Sequence, residues 1–149
     1  MKYYLFFVVG FLNLNILSAQ EDLTLNFDHM SLLVSDMEKS ARFYHDVLQL
    51  EKLKNPLDSK DRKWFSLGKH YQLHLIQEDR PQVENDVATH FALNVKDFDA
   101  FLEFLDQQEV PYTNWPTTAK EVSTRPDGVR QVYIKDPDGH WIEINDATY

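Results

Sequence analysis

The chain has 149 residues, contains no cysteine and carries a formal net charge of -9 at pH 7. This length suits one domain with a hydrophobic core, and the absence of cysteine excludes disulfides and a lipid-modified N-terminal cysteine. Because the acidic balance repels nucleic acids and anionic lipids, neither is an expected partner.

Residues 1–19 have the pattern of a secretory signal peptide. Lys2 precedes an apolar stretch over 5–17, and small residues suit cleavage before Gln20. The stretch is shorter than the roughly 20 apolar residues of a membrane-spanning helix. We therefore expect export, periplasmic or secreted, with 20–149 as one mature domain that no longer contacts a membrane. A buried N-terminal strand or helix is the alternative.

The first half of the mature chain is predicted to contain a strand, a helix and three further strands. Alternation predicts the first strand over 26–34, and Ser35 with Glu38 has the pattern of a capping box for a helix ending near Leu48. The other strands are expected over 51–54, 62–67 and 71–76, the last two forming a hairpin around Gly68.

The second half repeats this order after a polar seam over 77–86. The predicted elements are a strand over 89–95, a helix over 97–107, a short strand over 111–114 and closing strands over 130–135 and 141–145. An Asp-Pro-Asp-Gly turn joins the closing strands. The long irregular stretch over 115–128 is interpreted either as a lid over a site or as a passive surface loop.

The two halves also resemble each other in sequence. The segment HMSLLVSDME at 29–38 returns as HFALNVKDFD at 90–99, so His29 and His90 occupy equivalent positions. Each half then ends in a strand with one potential ligand between aliphatic residues, His74 in the first half and Glu143 in the second. A pseudo-twofold arrangement is expected to bring the four side chains to one centre.

Strand alternation supports a shared metal site. The apolar rows of these strands must cover the two helices, so the four ligand-type side chains point to the opposite, concave face. Three imidazoles and one carboxylate suit a divalent zinc, nickel, iron, cobalt or manganese ion. We predict one such ion, with coordination positions left open for substrate or water as in a catalytic site. The predicted ligands are His29, His74, His90 and Glu143.

The other histidines, and two aromatic residues of the hairpins, are not predicted to bind the metal. His45, His70 and His140 are expected to be exposed on the helix and in the two hairpin turns. Trp64 and Tyr133 occupy equivalent hairpin positions. They are expected either to line the concave face or to pack in the core.

The chain resembles the vicinal oxygen chelate superfamily, which includes glyoxalase I, fosfomycin resistance proteins, ring-cleaving dioxygenases and bleomycin-binding proteins. The resemblance lies in DHMSLLVSDMEKSARFYHDVLQLEKL, QLHLI, HFALNVKDFDA and DGVRQVYIKDPDGHWIEIND. It implies an α+β fold in which two paired βαβββ modules, about 25–80 and 86–147, form a cupped mixed sheet around a metal site. Such sites form within one chain or across a homodimer, and the sequence does not choose between them.

The ligand pattern is most similar to glyoxalase I, which implies a small-molecule substrate with vicinal oxygens and a lyase or isomerase reaction. The metal would polarise a carbonyl while Glu143 transfers a proton. That family usually has glutamate where this chain has His74, and its glutathione-binding Arg and Asn are replaced by Leu33 and Glu78. The alternatives are a ring-cleaving dioxygenase and a non-catalytic antibiotic-binding protein.

Overall fold

The computed structural model describes residues 24–79 and 85–148. The expected signal segment lies outside the described residues. No helix within them is long and apolar enough to cross a membrane.

The first module is a four-stranded sheet with one helical connection. Its strands are ordered β1-β4-β3-β2, and β1 is parallel to β4 whereas the other pairs are antiparallel. The elements are β1 (His29–Val34), α1 (Met37–Arg42) continued by a π-helical segment (Phe43–Val47), β2 (Lys52–Leu53), β3 (Arg62–Ser66) and β4 (Gln72–Gln77).

The start of α1 differs from the predicted capping box. Asp36 is the N-cap, and its side chain accepts a hydrogen bond from the Lys39 amide at 3.0 Å. Ser35 instead donates both its amide and its hydroxyl to Asp138, at 2.8 and 2.6 Å. The capping-box prediction was therefore wrong by one residue, because the serine is used in a contact with the second module.

The second module repeats the first and adds one short strand. Its sheet is ordered β5-β9-β8-β6, with β5 parallel to β9 and with β7 paired to β8. The elements are β5 (His90–Asn94), α2 (Phe98–Gln107), β6 (Tyr112–Thr113), β7 (Ser123–Thr124), β8 (Arg130–Lys135) and β9 (Trp141–Asn145). The predicted α+β fold of two paired βαβββ modules is confirmed.

Strand register makes the two halves equivalent residue by residue. His74 lies opposite Trp64 in the first sheet, and Glu143 lies opposite Tyr133 in the second. The apolar neighbours of His74 and Glu143 are fully or almost fully buried on the other face. The concave faces therefore carry the ligand-type side chains, as alternation predicted.

A buried polar cluster connects the two modules. The Tyr44 hydroxyl donates to Asp136 at 2.8 Å, and the Ser40 hydroxyl donates to Asp138 at 2.8 Å. His140 also binds Asp136, through Nδ1 at 2.9 Å, and only 21% of its side chain is exposed. The expectation of an exposed His140 was wrong, because the turn folds back onto α1. His45 and His70 are exposed as expected.

Candidate metal and substrate site

The concave face of the second sheet holds a histidine–carboxylate pair. His90 Nε2 lies 3.3 Å from Glu143 Oε2. The other ring nitrogen, Nδ1, donates to the Val87 carbonyl at 2.7 Å. In the neutral ring this contact leaves the lone pair on Nε2, the nitrogen that lies near the carboxylate.

Neighbouring side chains fix the orientation of the Glu143 carboxylate. Tyr133 donates its hydroxyl to Oε2 at 2.8 Å, and the Asn145 amide donates to Oε1 at 2.7 Å. Glu143 itself is only 5% exposed. Burial, followed by the hydrogen bond to Glu143, raises the pKa of Tyr133 well above its usual range, so the hydroxyl stays a donor at neutral pH. The carboxylate is therefore held in one orientation beside His90.

The concave face of the first sheet presents stacked rings. His29 stacks on His74 with ring centroids 4.2 Å apart, and His74 stacks on Trp64 at 3.9 Å. The interplanar angles are 18° and 10°. An ion between the rings of His29 and His74 would lie out of both ring planes, whereas imidazole lone pairs lie within them. In this arrangement the two rings do not chelate one ion together.

Hydrogen bonds distinguish these two imidazoles further. His29 Nδ1 lies 2.6 Å from Asp28 Oδ2, and a histidine that donates one nitrogen to a carboxylate keeps the other available as a ligand. His74 uses Nε2 for a 2.9 Å contact with Gln72 Oε1. Burial, and then the neighbouring His29, lower the pKa of His74, which favours its neutral form. His29 thus resembles a metal ligand more closely than His74 does.

The four predicted ligands lie as two pairs, one on each sheet. Within residues 24–79 and 85–148, no group of three or more His, Asp or Glu side chains is placed to hold a metal ion. Within these residues of one chain the four side chains do not meet at one centre, because each sheet carries its own pair on its own concave face. Metal binding by His29, His74, His90 and Glu143 stays a prediction.

The His90–Glu143 pair nevertheless fits two ligands of one ion. Ligand atoms about 2.0–2.2 Å from a zinc-like ion, at angles of roughly 90–110°, lie about 2.8–3.6 Å apart. The observed separation of 3.3 Å falls in that range. The Nδ1 contact of His90 and the two donors to Glu143 supply the outer hydrogen bonds that metal ligands usually have.

Three residues beside this pair were not singled out from the sequence. Arg125 Nη1 lies 4.0 Å from Glu143 Oε1, and the Trp115 ring lies 6.5 Å from the His90 ring. Asn145 could have been found, since it lies two residues after Glu143 on one strand face. The positions of Arg125 and Trp115 depend on an irregular loop and have no sequence periodicity.

The sequence matches the Glyoxalase/Bleomycin resistance protein/Dioxygenase superfamily over residues 26–144. The chain belongs to this superfamily. Among curated relatives, it is 28% identical over 126 residues to metallothiol transferase FosB of Staphylococcus saprophyticus subsp. saprophyticus, which covers 83% of this chain and 78% of that protein.

Solved structures show the same superfamily fold. Oxidase ChaP-H2 superposes with a TM-score of 0.68 at 24% identity, over 85% of this chain and 97% of that one. Lactoylglutathione lyase from Agrobacterium tumefaciens superposes with a TM-score of 0.62 at 22% identity, over 82% and 93%. At these identities the structural likeness establishes the fold alone, so the chemistry must be argued from this chain's own residues.

Proposed function

We propose that the protein is a glyoxalase I-like metalloenzyme, a lyase or isomerase acting on a small substrate with neighbouring oxygen atoms. The observation that carries the proposal is the 3.3 Å pair of His90 Nε2 and Glu143 Oε2, with the outer nitrogen of His90 bonded to Val87. When bound there, a divalent cation would polarise a substrate oxygen as a Lewis acid.

Glu143 is proposed as the proton shuttle as well as a ligand. It is the carboxylate of the predicted set, and Tyr133 and Asn145 each occupy one of its oxygens with a donor. These donors fix the orientation of the carboxylate, as a group that transfers a proton in a bound substrate requires. The ring of Tyr133 forms part of the apolar wall beside His90, at 5.2 Å between centroids.

We infer that a second copy of the chain completes the ligand set with His29. The edge strands β1 and β5 have no strand partner on their outer sides within the described sheets. Their apolar residues, including Met30, Leu32 and Phe91, line a groove of about 430 Å³. A symmetric dimer through this region would cover partly exposed apolar surface and supply the missing ligand.

A complementation experiment tests the shared site. The variants His29→Ala and His90→Ala are each expected to lose bound zinc. Mixed after unfolding and refolding together, they should regain about a quarter of the sites, because half of the dimers are mixed and each mixed dimer has one intact site. Failure of the mixture to regain any zinc, with both variants folded and dimeric, would contradict a site shared between copies.

The catalytic role of Glu143 is tested by Glu143→Gln, which keeps an oxygen ligand and the side-chain shape. We expect zinc to be retained while turnover falls about 10²- to 10⁴-fold. The matched control is Glu103→Gln on the exposed face of α2. Normal turnover of the zinc-loaded Glu143→Gln variant would show that this carboxylate is not the base.

A second candidate is metal-dependent thiol transfer, which the similarity to metallothiol transferase FosB favours. The two reactions are separated by screening 2-oxoaldehyde hemithioacetals and, in parallel, fosfomycin with and without added thiols. Isomerisation of the hemithioacetals supports the first proposal. Thiol-dependent loss of fosfomycin, without isomerisation of the hemithioacetals, supports thiol transfer instead. Catechols test the remaining alternative, a ring-cleaving dioxygenase.

A further inference from the structure

Two buried polar side-chain atoms of the second sheet have no hydrogen-bond partner within the part of the chain that the structure describes. They are Oε1 of Gln131 and Oγ1 of Thr113. Gln131 is only 7% exposed, and its side-chain oxygen is closed off from bulk water. Because an unpartnered buried polar atom is destabilising, such atoms are rare in folded proteins and mark places where a bound molecule can supply the hydrogen bond.

Strand register places both residues next to Tyr133 and on the same face of the sheet. Thr113 lies opposite Tyr133 in the pairing of β6 with β8, and Tyr133 lies opposite Glu143 in the pairing of β8 with β9. Residues directly opposite one another share a face. Gln131 lies two residues before Tyr133 on β8, so alternation gives it that face as well. The two unpartnered atoms therefore flank the tyrosine that orients Glu143.

The hydrogen bonds of Tyr133 fix the orientation of the Gln131 amide. The Tyr133 hydroxyl has a single proton, which it donates to Glu143 Oε2 at 2.8 Å. It must accept its other hydrogen bond, and Gln131 Nε2 is the donor at 2.7 Å. Rotating the amide by half a turn would place Oε1 against a hydroxyl whose proton is already used. Oε1 is thus the unused acceptor, two hydrogen bonds away from the carboxylate proposed as ligand and base.

The exposed ring of Trp115 borders this part of the concave face. Its centroid lies 5.7 Å from that of Tyr133, and the residue is 44% exposed. The Trp115 amide donates to the Ser123 hydroxyl at 2.8 Å, and Ser123 lies opposite Gln131 in the pairing of β7 with β8. Since these contacts hold the backbone and nearly half of the residue is in solvent, the ring can turn aside without loss of strand pairing.

We propose that Gln131 and Thr113 form a hydroxyl-binding subsite, which selects a neutral, ketose-like carbonyl compound with hydroxyls beyond its two neighbouring oxygens. A hydroxyl both donates and accepts, so it can donate to Gln131 Oε1 and accept from the Thr113 hydroxyl. The ring of Trp115 turns aside to admit it. This inference deepens the proposed function and rests on it for the position of the two neighbouring oxygens, whereas the hydroxyl subsite itself does not require a metal.

The chemistry of the acceptor excludes other oxygen groups at this position. A carbonyl, ether or carboxylate oxygen has only lone pairs, which would face the lone pairs of Gln131 Oε1. An anionic group would also lie near the buried Glu143 carboxylate, to which Gln131 is linked through Tyr133. An alkyl group would leave both polar atoms without partners. Among oxygen groups, a hydroxyl is therefore the one that suits both atoms.

Three neutral probes that differ in their further hydroxyls test the subsite. Erythrulose has a ketone and a terminal hydroxyl on one neighbouring carbon, with two further hydroxyls on the other side of the ketone. Its ether with both further hydroxyls methylated keeps those oxygens without donors, and the hydroxybutanone with a terminal hydroxyl beside the ketone lacks them. We expect the wild type to bind erythrulose about 3- to 10-fold more tightly than either, as one added hydrogen bond gives. NMR titration measures the affinities, and the side-chain amide signals of Gln131 should shift with erythrulose.

Two substitutions assign the preference to the unpartnered atoms. Gln131→Met keeps the side-chain length and removes the acceptor, so erythrulose should lose its advantage over hydroxybutanone. Loss of the bond to Tyr133 acts on all three probes alike, so the ratio of affinities reports Oε1. Thr113→Val should reduce the advantage in part and, because the removed hydroxyl has no partner, should not lower stability in thermal unfolding. The matched control is Gln107→Met at the exposed end of α2, which should leave the advantage intact.

Titrations of zinc-loaded and metal-stripped protein separate this inference from the proposed function. Absence of bound zinc in the wild type contradicts the proposed function, and the preference for erythrulose is then expected in the metal-stripped protein. An erythrulose preference that persists in folded Gln131→Met would overturn the subsite while leaving zinc binding intact. Equal affinity of the wild type for all three probes would show that ordered water alone satisfies the two atoms, and would overturn it too. So would failure of the wild type to bind erythrulose.

Discussion

The two sheets carry equivalent residues in different arrangements. In the first sheet, His74 lies between the rings of His29 and Trp64. In the second, Glu143 occupies the position of His74 and is bonded by the hydroxyl of Tyr133, which occupies the position of Trp64. The same backbone thus supports a ring stack in one half and a hydrogen-bonded carboxylate in the other.

The two arrangements differ because equivalent positions hold different residue types. His74 corresponds to Glu143, and Trp64 corresponds to Tyr133. An imidazole beside an indole can stack on its ring, whereas a carboxylate beside a phenol gains from a charge-assisted hydrogen bond. The second sheet therefore has an oriented acceptor with a basic nitrogen 3.3 Å away, while the first presents ring faces. Metal binding and proton transfer are accordingly expected to depend more on the second half.

The largest expected effect is on metal affinity, and it separates His90 from His74. We expect His90→Ala to weaken zinc binding by at least the 10- to 100-fold typical of the loss of an outer-shell partner. His74→Ala should cost far less, because its Nε2 is bonded to Gln72 and its ring is stacked on both faces. The measurement is zinc competition with a chelating dye. Equal losses of zinc affinity in the two variants would show that His74 is a metal ligand as well.

A smaller effect is expected on folding stability when the second-sheet hydrogen bond is removed. Tyr133→Phe leaves the Glu143 carboxylate without the donor at Oε2, and the loss of a hydrogen bond to a charged group costs about 1.5–3 kcal/mol. The matched control is Tyr71→Phe in the first module, where the expected change is within about 0.5 kcal/mol. Urea unfolding monitored by circular dichroism measures both.

The regular elements of both modules could be predicted because their side chains follow simple periods. Strands β8 and β9 have the predicted bounds, and α2 begins one residue later than predicted because Asp97 is its N-cap. Both strands are almost fully buried on the helix side, so the period-two pattern is strong. The fold as a whole follows from such local patterns and from the internal repeat.

The candidate site was only partly predictable from the same patterns. Alternation gives the face of His90 and Glu143, but it does not give the distance between two sheets, and the four side chains lie as two pairs. The hydroxyl of Ser35 bonds to Asp138, 103 residues further along the chain, and this contact has no sequence period. Such contacts depend on how the modules pack, which no local pattern encodes.

The smallest expected effect compares two histidines at equivalent hairpin turns, His70 and His140. The hydrogen bond to Asp136 raises the pKa of His140, although burial opposes it. The protonated ring is therefore favoured in the folded state, and its contribution to stability is fully present below the ordinary histidine pKa of about 6.5. That contribution is lost as pH rises through the raised folded-state pKa.

The difference in unfolding free energy between wild type and His140→Gln should accordingly be largest near pH 5.5 and shrink at higher pH. The matched control is His70→Gln, at the exposed turn of the first module. Both comparisons use urea unfolding at several pH values between 5.5 and 8.5. A His140→Gln difference that stays constant or grows with pH would show that Asp136 does not hold a protonated His140, and that the cluster joining the modules depends on Tyr44 and the two serines instead.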